Sequence, residues 1–389
     1  MGDIKRITDY ILTWLCYGDE EAAKRVAYTD DEKALETHDI IIVPNGHLGK
    51  DLIVPELKKP VVEQPAKDKT IIRTDIVYAV FFFTSRAEEL INGQRDEHGR
   101  FAAKYSVLGQ RSRTQIPRLD EYARLVLKQL NLPLPTEGFN RIYLTHDVDA
   151  ISQYRSIRGA LGGIRRGETK AVLKALKDIH NDPLYTFPWL IEQDARVRDA
   201  HKIYFIKRTR GKGFDAPQYC LHGRDFKRLK HMLRRNDTFL GVHGSYYGSI
   251  PSIQYSRMFR AHFLRSSIDH MQALADAGYT DDFTMGFADQ AGFRLQTCRA
   301  IRWINPKTYE LTPLTLHPLT IMDCTLSAPH YMHLTEDEAY FLCERLIDKV
   351  RLHHGDLCLL WHNSNLTPDT YHRTLYPKIL QMVNHKFEI

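Results

Sequence analysis

The chain has 389 residues, a net formal charge of +6, 43% hydrophobic and 26% charged residues. That balance describes a folded globular protein with room for one large unit and a smaller partner, and it excludes a disordered or fibrous chain. Six scattered cysteines, at 16, 220, 298, 324, 343 and 358, form no CxxC pair, so neither a zinc knuckle nor a disulfide framework is expected and a reducing compartment fits.

The N-terminal stretch has too short an apolar core for a signal peptide and carries acids on both sides. No later run is long enough to span a membrane, so the expectation is a cytoplasmic protein without a membrane span. Residues 1–135 read as a small α/β unit. Ile40 to Val43 is a buried-strand candidate followed by the turn formers Pro44, Asn45 and Gly46, and Ile76 to Phe83 is a second apolar run. Leu57 to Thr70, rich in Lys and Pro, belongs on the surface, and the charged stretch Arg86 to Phe101 reads as a solvated loop. Leu119 to Leu130 is an amphipathic helix, and Asn131 to Gly138, with two prolines and a glycine, marks the boundary to a second unit over 136–389.

Beyond that boundary short apolar runs alternate with helical stretches. Strands are expected at Ile142 to Leu144, Ile203 to Ile206, Phe239 to Val242, Leu314 to Ile321 and Leu357 to Trp361. A helix over Ser267 to Ala277 stops at Gly278, and another starts at the capping box of Thr335 and Glu338 and ends at Gly355, where His353 and His354 suit the C-terminal dipole. Alternation of this kind implies a mostly parallel sheet, open or closed into a barrel. Between His201 and Arg235 lie eleven Lys/Arg against two Asp/Glu. This basic cluster could meet an anionic ligand such as a phosphate-bearing glycan precursor, whereas no nucleic-acid motif accompanies it.

Three polar clusters end predicted strands: His146, Asp147 and Asp149; His243 in a small-residue turn with Ser245; and His362 after Trp361. Carboxylates and imidazoles gathered at strand ends suit a metal-assisted hydrolase. One carboxylate and a neutral imidazole hold a divalent ion, a second carboxylate takes a proton from water, and a separate imidazole protonates the leaving group.

In their order these motifs resemble the polysaccharide deacetylase family, the NodB-homology carbohydrate esterases. The resemblance is carried by Thr145-His146-Asp147-Val148-Asp149, His243-Gly244-Ser245, Arg260 to Arg265 (RAHFLR), Gly286 to Asp289 with Gly292-Phe293-Arg294, Pro318 to Asp323, and Leu360 to Ser364 (LWHNS). FFFTSRAEE (81–89) and RDEHGRF (95–101) look like the accessory domain preceding this branch of the family. The resemblance implies a distorted (β/α) barrel with a smaller N-terminal α/β domain, removing N-acetyl groups from a carbohydrate. It implies Asp147 as general base, His362 as general acid, Arg260 as the group orienting Asp147, and Asp149 and His243 as ligands of a divalent metal, zinc first, with cobalt, nickel or manganese as alternatives. The family's second histidine ligand lies four residues after the first, where this chain has Tyr247; His262 or His146 would then complete the set. Ser245, Tyr247, His146, Asp289, Arg294 and Trp361 are the expected substrate-side residues. Asp323 is either a cleft residue or a turn former.

Two other readings compete. A glycan-binding protein would use the same cleft without chemistry. A nucleotide-sugar glycosyltransferase would use Asp147 and Asp149 as a D-x-D pair holding manganese against a diphosphate, but that leaves His243 and His362 unexplained. The oligomeric state is open.

Overall fold

The computed structural model describes residues 3–110, 113–208, 215, 218–245 and 250–384, and its strands fall into two sheets. β1 (Val26–Tyr28), β2 (Ile40–Ile42), β3 (Val62–Ala66) and β4 (Lys69–Ile72) form the first, in the order β1-β2-β4-β3. β1, β2 and β4 pair in parallel and bury Ile40, Ile41 and Ile42, as an apolar strand covered on both faces requires. The second apolar run is a helix, Ile76–Thr84. Asp75 caps it by accepting from the Tyr78 amide at 2.8 Å, and every residue of it is buried. A continuous apolar run fits a buried helix as well as a buried strand; the capping carboxylate selects the helix.

The second sheet holds β5 (Arg141–Val148), β6 (Ala200–Lys207), β7 (Phe239–Gly244), β8 (Met258–Ala261), β9 (Asp281–Asp282), β10 (Ile301–Asn305), β11 (Glu310–Leu316), β12 (Ile321–Met322) and β13 (Asp356–Leu360). Its order is β10-β11-β9-β8-β7-β6-β5-β13-β12, and every pair is parallel except β10 with β11. The order itself forces a curl. β11 and β12 stand seven strand intervals apart, roughly 34 Å in a flat sheet at about 4.8 Å per interval, yet Leu316 and Ile321 are joined by only four residues, a reach of about 18 Å. The ends therefore fold toward one another into a half-barrel. The link bridges them: the Leu319 amide bonds to Met285 O at 2.9 Å and the Thr320 amide to Cys358 O on β13 at 3.1 Å. The expected single strand Leu314 to Ile321 is thus two strands on distant parts of the sheet, interrupted where Pro318 offers no amide.

Tyr143, Ile203, Phe205, Phe283 and Leu360 fill the inside of the curl. Leu144, Val148, Ile206 and Leu359 face an outer helix layer that includes Glu336–Leu352 and His372–Asn384. The capping box at Thr335 and Glu338 forms as expected. A third core runs without a break from the N-terminal helices to the edge of the large sheet, joining Ile7, Phe82 and Val126 to Phe259, Leu274 and Trp303.

The 86–101 stretch departs most from expectation. Arg86, Glu88, Glu89 and Arg100 are all buried. Arg86 grips Glu89 with two bonds, 2.7 and 2.8 Å, and donates to Ser266 O at 2.7 Å; Arg294 reaches the same carboxylate at 2.8 Å. Charges this deep persist only when paired; Arg86 and Glu89 are three residues apart, but Ser266 and Arg294, which complete the cluster, lie 180 and 205 positions away from them, beyond the reach of local pattern. His353 likewise closes its helix buried rather than as a surface cation, and burial lowers its pKa to about 4. All six cysteines are unpaired.

Candidate active site

Strand periodicity sorts the first motif. Tyr143 lies in the interior of the curl while Leu144 and Val148 face the helices, so Thr145 and Asp147 point inward and His146 outward. Asp147 meets Arg260, a fully buried guanidinium from β8: Nη1 donates to Asp147 Oδ1 at 3.1 Å and to Thr145 Oγ1 at 2.8 Å, and Nε to Phe283 O at 3.0 Å. A buried guanidinium without an anion would be strongly unfavourable, so the pair fixes both groups.

Just past β5, Asp149 Oδ1 lies 3.4 Å from each of three atoms: His243 Nε2, His262 Nε2 and Lys207 Nζ. The far side of each ring determines what these nitrogens offer. His243 Nδ1 bonds to Arg260 O at 3.0 Å, and His262 Nδ1 to Asp215 Oδ1 at 2.6 Å. A carbonyl and a carboxylate only accept, so Nδ1 of each ring donates and Nε2 of each ring is the atom turned toward Asp149. His243 Nε2 is buried with no hydrogen-bond partner among the described residues. Burial, with His243 beside it, lowers the His262 pKa to about 4, keeping that ring neutral near pH 7. Burial opposes charge on Asp149, but the surrounding histidines outweigh it and hold the carboxyl well below its ordinary range.

The backbone is strained where His262 is delivered. Phe263 and Leu264 both have positive φ, 60° and 55°. Left-handed conformation costs a non-glycine residue roughly 1–2 kcal/mol, and two in succession turn the chain sharply after the histidine.

On the opposite wall His362 follows β13. Its Nδ1 bonds to Asp323 Oδ1 at 2.8 Å and its amide donates to Asp323 Oδ2 at 2.7 Å. Burial works against charge on both, yet each stabilises the other: Asp323 falls to about 2 and His362 rises well above its usual value. His362 Nε2 stands 4.0 Å from Asp147 Oδ2, which is 3.6 Å from His243 Nε2.

These groups line a cavity of about 270 Å³ that Arg100, Phe263, His330 and Tyr331 help enclose. Arg100 comes from the N-terminal part of the chain. Asp96 holds its Nε at 2.7 Å, its Nη1 donates to the Tyr331 hydroxyl at 2.8 Å, and His98 stacks on Phe263 with ring centroids 5.3 Å apart. The RDEHGRF stretch is therefore part of the cleft wall.

Two groups among the described residues could hold an ion: Asp149 with His243 and His262, and Asp323 with Cys324 and His362. In the second the Asp323–His362 hydrogen bond already uses the donor atoms. In the first the donor atoms converge, with His243 Nε2 left without a hydrogen-bond partner among the described residues, and three protein ligands from N and O donors meet what zinc requires. The donor set fits a divalent ion, with one complication: the Lys207 ammonium approaches both Asp149 Oδ1 and, at 3.3 Å, His262 Nε2.

Asp147, Asp149, His243, His262, Arg260 and His362 are thus brought together. Four expected cleft residues are not. His146 binds Asp194 through Nε2 at 3.0 Å and Trp361 O through Nδ1 at 2.8 Å on the helix side of the sheet, so it cannot complete the ligand set. Trp361 is fully buried against Tyr376 in that same layer. Asp289 accepts from the Ala103 amide at 2.8 Å, and Arg294 is consumed by Glu89 and Gly286 O. Ser245 is buried beside Asp215, whose carboxylate it helps keep ionised; Tyr247 lies outside the described residues. Asp323 is the partner of His362 rather than a cleft or turn residue alone. Lys207, Asp215 and Arg100 escaped the sequence reading. Only Lys207 carried a local signal, since it ends an apolar strand as His243 and His362 do.

Among known proteins, the model of a family of unknown function, DUF7033, matches residues 6–135. No curated protein matches the chain. Among solved structures the chain is similar to a candidate polysaccharide deacetylase from Mycobacterium smegmatis, with 14% identity, a TM-score of 0.41, and coverage of 64% of this chain and 88% of that one. It is also similar to a candidate polysaccharide deacetylase involved in O-antigen biosynthesis from Bordetella bronchiseptica, with 13% identity, a TM-score of 0.33, and coverage of 64% and 86%.

Proposed function

We propose that this chain is a carbohydrate deacetylase, hydrolysing the amide of an N-acetylated sugar to acetate and a free amine. The reading divides the chain into an accessory unit over 1–135 and a catalytic unit over 136–389, and places Asp149, His243 and His262 around a divalent ion, zinc first. The observation that carries it is the convergence of two imidazole nitrogens on one carboxylate oxygen, with Asp147 and His362 4.0 Å apart beside them.

A bound ion would supply Lewis acidity for the acetamide carbonyl. Asp147, oriented by Arg260, takes a proton from the attacking water as its oxygen adds to the carbonyl carbon. His362, kept protonated by Asp323, delivers a proton to the amide nitrogen as the carbon–nitrogen bond breaks. Arg100 from the N-terminal part and Tyr331 then line the cavity on the side where the sugar would sit.

The test is acetate release from N-acetylated oligosaccharides by zinc-loaded protein. Asp147→Asn and His362→Gln should each lower turnover about 10²-fold or more with the fold retained. Turnover unaffected by Asp147→Asn would refute the assignment. A non-catalytic glycan-binding protein is the second reading, favoured by Lys207 sitting on Asp149; it expects glycan binding without acetate release and indifference to Asp147→Asn. The glycosyltransferase reading gains nothing, because Asp147 is tied to Arg260.

A further inference from the structure

After β5 the chain leaves the sheet into two helices, Ile157–Arg165 and Thr169–Lys177, that pack on one another where Gly163 leaves no room for a side chain: a Cβ there would lie 2.6 Å from Val172 and 2.8 Å from the Tyr154 ring. Their own core is small, Tyr154, Val172 and Ala175. Their outer face is apolar and uncovered. Ile157 is 84% exposed, Leu173 62% and Leu161 51%, with Ile164 and Leu176 close behind. These are five of the twelve large hydrophobic side chains exposed among the described residues, and they fall within twenty positions of one another. Ile157, Leu161 and Ile164 follow i, i+4, i+7 spacing, a single stripe along the helix.

Charge surrounds that stripe. Residues 157–177 hold six Lys/Arg and one acid, and the helix Arg224–Arg235 holds six Lys/Arg and one acid. The two are tied by Arg155, which leads into the hairpin and donates to Asp225 at 2.8 Å. Together they concentrate a surplus of ten positive charges in a chain whose whole surplus is six.

We propose that this hairpin, with the neighbouring basic helix, is a docking surface for an anionic lipid bilayer. Aliphatic side chains flanked by Lys and Arg match an interface that is hydrocarbon below and phosphate above, and the basic side chains reach outward along apolar stems to the headgroups. A nucleic acid would use the charge but leave the aliphatic stripe wet. A second copy of the chain would cover the stripe only by bringing like charges together. No helix among the described residues is long and apolar enough to cross a membrane, and an interfacial hairpin needs none. The inference does not depend on the deacetylase reading.

The experiment is co-sedimentation of the full chain with phosphatidylcholine vesicles, with and without phosphatidylglycerol, over a salt series. The comparison protein is the double variant Leu161→Ser, Leu173→Ser, both at exposed positions, with its fold verified by thermal melt. Wild type should bind only the anionic vesicles, each Lys/Arg near the surface contributing up to about fivefold and salt weakening the binding; the double variant should lose on the order of 100-fold, about tenfold for each leucine. Failure to bind phosphatidylglycerol vesicles at low salt would overturn the proposal. So would undiminished binding by the double variant together with equal retention on heparin, which marks a general polyanion surface. A wild-type dimer in sedimentation velocity that the double variant abolishes would overturn it in favour of self-association.

Discussion

Glu89→Ala should be among the most damaging single substitutions outside the site. The carboxylate accepts from Arg86 through two nitrogens and from Arg294, and the three side chains are 2–6% exposed. Removing it strands two buried guanidiniums, and breaking such a pair from one side costs about 3–5 kcal/mol. With an unfolding entropy of roughly 2.1 cal/mol/K per residue, 389 residues give about 0.8 kcal/mol/K, so the melting temperature should fall by about 4–6 °C. Glu89→Gln keeps some acceptor capacity and should fall less, and Leu90→Ala, at an exposed neighbour, should barely move. Differential scanning calorimetry on the three variants reads this directly. A shift under about 1 °C for Glu89→Ala would show that the 86–101 stretch is not held by buried charge, and the account of how the N-terminal part meets the half-barrel would fail.

Three further predictions concern charge. Asp323→Asn should remove the anion that keeps His362 protonated, so the alkaline limb of the pH–rate profile moves down toward the ordinary histidine range; an unmoved limb would remove His362 from the acid role. Lys207→Met should tighten zinc binding by about tenfold or more in calorimetric titration, since an ammonium no longer shares the Asp149 oxygen; unchanged affinity would mean the lysine swings clear. His353, buried, titrates near 4 in the fold against 6.5 unfolded, so its stabilising contribution is complete above about pH 6.5 and is lost as pH falls toward 4. His353→Leu should therefore flatten the acid limb of stability by about 2.5 kcal/mol at about pH 4.5 in denaturant unfolding, and an unchanged limb would count against that burial.

Much of the site was legible because one rule, polar groups at the ends of apolar strands, picks out Asp147, Asp149, His243 and His362. The same rule reaches Lys207, but a lysine at a strand end is a weaker signal than a histidine because lysines are the commoner residue. Strand periodicity alone separates His146 from Asp147, since adjacent residues on a strand cannot share a face; Trp361 departs from Leu360 for the same reason. What pattern could not supply is long-range pairing. Asp215 holds His262 from 47 positions away, Arg294 meets Glu89 across 205, and Arg100 meets Tyr331 across 231. The curl of the large sheet was equally hidden, because it follows from the strand order and the four-residue link after Leu316 rather than from any local run.

The central claim is that Asp149, His243 and His262 form a metal centre, and metal content tests it most directly. Elemental analysis of protein purified without chelator, then loaded with zinc, cobalt or nickel, should find about one ion per chain in wild type and little in His243→Ala, Asp149→Ala or His262→Ala, with all four proteins folded by circular dichroism. Wild-type protein that takes up no ion after loading would contradict the metal centre and leave Lys207 as the cation of the site.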